Sequence, residues 1–176
     1  MRTQAIDTAE PETLRFGYGA TLLGAILLAE SMRGIAALFI GDDRAKLLRD
    51  LKDAFPGVGL SPDQPGLAGA VAKAVGLVDA PHRGTDLTLD LRGSAVEVAV
   101  WTALGAIPAG ETRTYGAIAQ SLPIPATARD VGAACAANRI AVAVPCHRVV
   151  KSDGSIAGYR WGVPRKRRLI NMEGAA

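Results

Sequence analysis

A thiol, an imidazole and a guanidinium stand side by side in the hexapeptide Pro145-Cys146-His147-Arg148-Val149-Val150. A thiol with a reference pKa of about 8.5 is mostly protonated near neutral pH, so a working nucleophile needs a base or a positive charge close by. His147 and Arg148 can supply these. Pro145 fixes the backbone ahead of the cysteine and pushes Val144 towards an extended conformation. The apolar run Ile140 to Val144 therefore reads as a buried strand that delivers Cys146 at its end, with Asn138 just before it.

The segment leading into Asn138, roughly Ala128 to Ala137, reads as a helix opened by Thr127 with Asp130 three residues on. Its residues are nearly all small: Ala128, Gly132, Ala133, Ala134, Cys135, Ala136 and Ala137, with Arg129 the long side chain near its start. A shorter helix from about Thr114 to Leu122 is ended by Pro123 and Pro125, and the pair suggests a helix-turn-helix. A helix that reads the major groove of DNA carries long polar side chains, whereas one that approaches the minor groove, about 6 Å wide, needs a slim face. The same composition also suits an Ala-rich packing helix, because Ala is a strong helix former. Further upstream, Ser94 and Glu97 form a capping-box pattern before the run Val96 to Leu104, and Pro108, Gly110 and Thr112 make a loop.

The first half alternates strand and helix signals and presents no catalytic constellation. Thr13 to Tyr18, Leu22 to Glu30 and Ile35 to Ile40 read as an antiparallel meander, with Ser31 to Gly34 as a tight turn. Leu47, Leu48, Leu51 and Phe55 recur at helical spacing after Asp42 and Asp43, and Pro56-Gly57 stops that helix. A second helix covers Leu67 to Val78, and Leu87 to Leu91 alternates as another strand.

With 176 residues and 49% hydrophobic content the chain can bury a real core, as one domain or two small ones. No apolar stretch approaches the roughly 20 residues that cross a bilayer, and Met1 to Glu12 carries acids rather than a basic and then apolar leader. A cytoplasmic protein is expected. Two cysteines, Cys135 and Cys146, make no disulfide framework, and two distant histidines, His82 and His147, give no ligand cluster with them. Residues 1–90 hold 9 Lys/Arg against 12 Asp/Glu, while residues 91–176 hold 11 against 5. The second half is thus the anion-binding half, unless the imbalance marks only a solvated surface.

The hexapeptide around Cys146, with Ala128-Arg129 and Asn138 upstream and Gly158-Tyr159-Arg160-Trp161-Gly162 downstream, resembles the methylated-DNA-protein-cysteine methyltransferases, the O6-alkylguanine-DNA alkyltransferase family. The stretch Ala134-Cys135-Ala136-Ala137-Asn138 and the segment Tyr159-Arg160-Trp161 are most similar to the C-terminal half of the bacterial Ada type. The resemblance covers about Leu91 to Glu173 well and the first half more weakly, through Leu28-Ala29-Glu30-Ser31, Arg33-Gly34-Ile35 and Gly41-Asp42-Asp43.

The resemblance implies an α/β ribonuclease-H-like domain over residues 1–91, an antiparallel sheet with helices, followed by a mainly α winged helix-turn-helix domain over residues 92–176. It implies direct, irreversible, stoichiometric transfer of the alkyl group of O6-alkylguanine, and of O4-alkylthymine, to Cys146, with no cofactor. Relatives that bind zinc in the first half use cysteines and histidines, and with no cysteine and only His82 there, no metal is expected. Double-stranded DNA would be bound in the minor groove by a monomer, with little sequence specificity.

It also implies roles for matching positions. His147 would be the base acting through a water, and Glu173 the acid that orients it. Asn138 would be a hinge in a left-handed cap that hydrogen-bonds the active-site turn. Tyr115 would donate to N3 of the guanine and help turn the nucleotide outward, and Arg129 would fill the vacated stack. Ala128, Gly132 and Ser152 complete the DNA-binding set, while Pro145, Val149, Tyr159, Arg160 and Trp161 would form the substrate pocket. The carbonyls of Cys146 and Val149 would accept from the guanine amine, and Arg160 and Trp161, where some relatives have small residues, would narrow the pocket in favour of methyl groups.

Each residue also has a bland reading. Glu173 could be a frayed acid, Tyr115 a half-buried aromatic, Cys135 a small packing residue, and Arg165-Lys166-Arg167-Arg168 the decoration of a solvated helix face. The Ada type carries a further N-terminal regulatory part, so this sequence reads either as a stand-alone repair protein or as one half of a regulator. Two other functions compete: a module that binds damaged guanine without accepting its alkyl group, and a Cys-His hydrolase working through a thioester.

Overall fold

The computed structural model of the protein describes residues 11–174. The meander forms as β1 (Thr13–Thr21), β2 (Gly24–Ser31) and β3 (Gly34–Gly41), paired antiparallel in that order. Both connecting turns depend on glycine. Gly24 has φ of 121°, where a Cβ would lie 2.7 Å from the Gly41 carbonyl, and Gly34 has φ of 142°, where a Cβ would strike Thr88 O at 2.5 Å.

α1 (Arg44–Ala54) follows, N-capped by Asp43 through its amide contacts to Ala45 and Lys46, and buries Leu47 and Leu51. After it comes β4 (Gly59–Pro62), which the sequence pattern did not show. β4 pairs parallel with β1, so the sheet is mixed, in the order β3-β2-β1-β4, and the expected antiparallel sheet is corrected to that extent. The miss has a local cause: Gly59-Leu60-Ser61-Pro62 is short, polar and ends in proline, which is tolerated at a sheet edge. α2 (Ala68–Asp79) packs Val71, Ala74, Leu77 and Val78 into the core. Ile26 to Ala29 and Ile35 to Ile40 are buried at consecutive positions, so both faces of the sheet are covered.

The free edge of β3 ties the first half to the second. Ile35 pairs with Leu89 near the start of that edge, and Leu38 pairs with Ile140 further along, each as an isolated parallel bridge. Leu38 N–H donates to Arg139 O at 2.9 Å, and Ala141 N–H donates to Leu38 O at 2.9 Å. Two segments share one short edge, and neither has room to run as a strand. The expected strands Leu87–Leu91 and Ile140–Val144 are therefore each reduced to a single bridge to β3, the latter also folding back on itself through an Ala141–Val144 bridge.

The second half is built from short elements: α3 (Ala95–Gly105), β5 (Arg113–Thr114), α4 (Tyr115–Ser121), α5 (Ala128–Ala137), β6 (Val149–Val150) and α6 (Val163–Gly174). Both expected capping boxes are present. Ser94 N–H donates to Glu97 at the start of α3, and Thr127 N–H donates to Asp130 at the start of α5. Trp101 on α3 donates its indole N–H to Ala134 O at 2.9 Å and so pins α5 to the core. The run Arg165–Arg168 is not a solvated face throughout. Arg165 bonds Leu23 O and Asp42, Arg168 bonds Leu22 O, and Lys166 is buried. The basic run clamps α6 to the β1–β2 turn and to the end of β3. Among the described residues, no helix is long and apolar enough to cross a membrane.

Candidate active site

Cys146 opens a single 3-10 turn, Cys146–Arg148, immediately before β6. The chain reaches it through a succession of tight turns rather than a strand. Ala143 N–H bonds Ala141 O at 2.7 Å, Val144 N–H bonds Ile140 O at 3.0 Å, and Cys146 N–H bonds Val144 O at 2.8 Å. Val142 adopts φ of 66°, a region that costs a β-branched residue of order 1–2 kcal/mol.

What holds this irregular backbone is the Asn138 side chain. Its Oδ1 accepts from Ile140 N–H at 2.8 Å, and its Nδ2 donates to Val144 O at 3.0 Å and to Cys146 Sγ at 3.2 Å. Asn138 itself has φ of −59° and ψ of 127°, so the expected left-handed cap is replaced by an extended residue whose amide does the bridging.

Glu173, two turns along α6 from Lys166, is buried and gathers four donors, of which Gly110 N–H at 3.5 Å is the longest. His147 Nε2 lies 2.8 Å from its Oε1, and Arg148 reaches both carboxylate oxygens at 2.7–3.1 Å while donating to Ile107 O at 2.7 Å. Burial alone would raise the Glu173 pKa, but the bonds from His147 and Arg148 outweigh it and bring it down to about 2. Glu173 is therefore a carboxylate and can only accept, so Nε2 carries the His147 proton and Nδ1 presents its lone pair. Burial also lowers the His147 pKa, against the opposing pull of Glu173, which keeps the ring neutral near pH 7. Nδ1 is buried and has no protein partner among the described residues.

Cys146 is 3% exposed and forms the floor of a cavity of about 470 Å³. Tyr115, Gly132, Cys135, Ala136, Gly158, Tyr159 and Arg160 line the rest. Burial pushes the thiol up to about 11, with the Asn138 hydrogen bond, Lys166 and Arg160 acting the other way. Tyr115 is raised to about 12 by burial and so stays a phenol, able to donate. Gly132, Cys135 and Ala136 form the α5 side of the cavity, where a Cβ on Gly132 would find room, its nearest neighbour being the Tyr115 ring at 4.0 Å.

Sequence comparisons agree with this arrangement. A family profile described as "6-O-methylguanine DNA methyltransferase, DNA binding domain" matches residues 95–175. The methylated-DNA–protein-cysteine methyltransferase of Mycobacterium tuberculosis is 43% identical over 113 residues, 64% of this chain and 68% of that one. The inducible enzyme of that name from Bacillus subtilis is 32% identical over 149 residues, 83% and 82% of the two chains. The chain belongs to the O6-methylguanine-DNA methyltransferase family. It is also 41% identical over 160 residues to the Escherichia coli bifunctional transcriptional activator/DNA repair enzyme Ada, covering 91% of this chain and 45% of Ada, so it spans about half the length of that relative. In three dimensions it resembles M. tuberculosis OGT in complex with DNA, with a TM-score of 0.74, 34% identity and 93% of both chains covered.

Within this family member the expected residues do not all converge. Cys146, Tyr115, Gly132, Tyr159 and Arg160 meet at the cavity, while Asn138, which does not line it, reaches Cys146 Sγ from the buried side, where His147 and Glu173 are buried as well. Pro145 and Val149 are buried but do not line it. Trp161 is also absent from the wall. Its ring packs against Phe39 at 6.5 Å and Tyr159 at 5.4 Å, which leaves Arg160 alone of that pair at the cavity. Ala128 and Arg129 are exposed at the start of α5, and Ser152 is exposed in the turn after β6.

Arg148 serves Glu173 rather than the thiol, which corrects its reading as a charge for Cys146. Cys135, read as packing, lines the cavity. Lys166, read as surface, is 1% exposed, with its Nζ 3.4 Å from Gly158 O. The signal for Lys166 was present: Lys166, Leu169 and Glu173 share the 3–4 spacing of one buried helix face.

Proposed function

We propose that this chain repairs DNA by moving the alkyl group of O6-alkylguanine, and of O4-alkylthymine, onto Cys146 in a single irreversible turnover. The observation that carries the reading is a buried thiol at the floor of a base-sized cavity, walled by a helix of small residues. A lesion inside stacked duplex cannot reach such a floor, so the nucleotide must be extruded first. The slim α5 suits the minor groove, with Arg129 entering the stack the base leaves, Ala128 and Gly132 allowing close approach, and Ser152 meeting the backbone. In this reading residues 1–91 form a ribonuclease-H-like domain and residues 92–176 a winged helix-turn-helix domain, with α4 and α5 as its helix pair. The protein acts as a cytoplasmic monomer.

The chemistry follows from the side chains. His147 takes the Cys146 proton at Nδ1 through a bridging water, and Glu173 stabilises the imidazolium that results. The Asn138 amide donates to the thiolate. The sulfur attacks a saturated carbon as the carbon–O6 bond breaks. Tyr115 donates to N3 of the departing guanine, while the carbonyls of Cys146 and Val149 accept from its amine. The product is a thioether, which has no carbonyl for water to attack, so each molecule acts once. Mass measurement after incubation with O6-methylguanine duplex is expected to show a permanent gain of one methylene on Cys146, absent in Cys146→Ser. No gain would point to recognition without transfer, and a gain that decays would point to a hydrolase.

A further inference from the structure

The cavity holds a second sulfur that the proposed reaction does not use. Cys135 and Cys146 both line it, and each is one hydrogen bond from the same residue: Asn138 N–H donates to Cys135 O at 3.2 Å, and Asn138 Nδ2 donates to Cys146 Sγ at 3.2 Å. Cys135 sits on α5, half-buried, and lines the same cavity as Cys146. Beside it is a buried ammonium. Lys166 has no carboxylate within ion-pair distance among the described residues, and its hydrogen bond is the long one to the pocket-lining Gly158. We propose that Cys135 is a latent second nucleophile, which captures any transferred alkyl group that carries a leaving group of its own and ties the two sulfurs together through its carbons.

The proposal rests on Cys146 being the first acceptor. Burial and then the negative charge of an ionised Cys146 hold the Cys135 thiol up at about 12, so Cys135 does not compete while Cys146 is free. Alkylation turns Cys146 into a neutral thioether and removes the second of those causes. The Lys166 cation is then left facing Cys135 alone. The second step needs no oxidant. One carbon–halogen bond and the Cys135 S–H bond break, one carbon–sulfur bond forms, halide departs, and the thiol proton passes to water. Holding the electrophilic carbon beside Cys135 gives that sulfur the advantage of an intramolecular reaction over water.

A duplex carrying O6-[(E)-4-chlorobut-2-enyl]guanine tests this, because the trans double bond keeps the chloride from closing onto the base. Peptide mass mapping is expected to find Cys135 and Cys146 joined by a butenyl bridge, chloride lost, in roughly tenfold excess over Cys146 bearing a chloro- or hydroxybutenyl group. The Cys135→Ala protein must stop at the single adduct, at whatever rate it forms. A single adduct in the unmodified protein, or a bridge from Cys146 to Lys166, would overturn the proposal. O6-methylguanine duplex run in parallel separates the two readings: a methyl group on Cys146 with no bridge from the chlorobutenyl probe sinks only the role of Cys135, whereas no methyl group on Cys146 sinks the repair reading beneath it.

Discussion

The two halves of this molecule bury different things. The first half buries hydrocarbon: β2, β3, α1 and α2 close over Leu, Ile, Phe and Val, and its ion pairs, such as Arg15 with Glu30 and Lys46 with Asp50, lie at the surface. The second half buries charge and amide. Of the buried polar residues Asp90, Asn138, His147, Arg148, Lys166 and Glu173, all but Asp90 belong to the site built around the Cys146 turn, Asn138 bonding the thiol itself and His147 and Arg148 bonding Glu173. Regular strands satisfy their own backbone, whereas the turns that present Cys146 do not, and side chains must complete them. Function is concentrated where the fold relies on polar side chains for its own integrity.

The largest test of that contrast pits Glu173 against Asp90. Glu173→Ala leaves Arg148 buried without its carboxylate and His147 without its orienter, and is expected to cost about 3–5 kcal/mol. Asp90 also accepts from Ser31 and Arg92, but Arg92 is partly exposed and keeps Glu12 as a partner, so Asp90→Asn is expected to cost about 1–2 kcal/mol. Denaturant unfolding of both variants measures the difference. Equal losses would mean that the site is no more dependent on its charges than the first half.

Acid sharpens the comparison further. The His147 pKa is depressed in the fold, so the unfolded chain binds the proton more readily, and stability present above about pH 6.5 declines as pH falls below it. Glu173 adds a second window: its stabilisation is complete above 4.5 and is lost as pH falls towards about 2, a loss of about 3 kcal/mol. Thermal unfolding followed across pH should show both declines. In His147→Gln the decline that begins near pH 6.5 should vanish, and its persistence would place the titrating group elsewhere.

Asn138→Ala comes next in size. It removes one acceptor and two donor contacts, leaving Ile140 N–H without a partner in the interior and Val144 O with the Cys146 N–H alone, an expected cost of about 1–3 kcal/mol. Loss of the donor to Cys146 Sγ should also slow labelling of the thiol by iodoacetamide near neutral pH. A variant that is destabilised but labels at the original rate would leave Asn138 a purely structural brace.

The same contrast decides what was legible in the sequence. Strand-length apolar runs bounded by turn residues located β2 and β3, and one-sided apolar patterns located β1, α1 and α2, because those elements are specified by where their apolar residues fall. Ile140 to Val144 misled for the same reason: its composition is that of a strand, but a β3 edge already shared with Thr88–Asp90 allows it one bridge, and Val142 turns away. Cys146, His147 and Asn138 stood out as residue types out of place in an apolar run. Lys166 and Arg148 did not, because a positive charge in a basic stretch reads as solvated until its surroundings are known. Cys135 was hidden by its neighbours, since one more small residue in a small-residue helix carries no signal of the cavity it faces.

The smallest expected effect on stability belongs to Arg129. It is exposed at the first turn of α5 and makes no hydrogen bond or ion pair among the described residues, so Arg129→Ala should change unfolding free energy by no more than about 0.5 kcal/mol. Its effect should appear only with duplex. If it occupies the space vacated by the flipped nucleotide, transfer from O6-methylguanine in double-stranded DNA must slow more than transfer from the free base, which has no stack to refill. Equal slowing on the two substrates would remove that role, leaving general attraction to phosphate, and the salt dependence of duplex binding would then fall by about one charge.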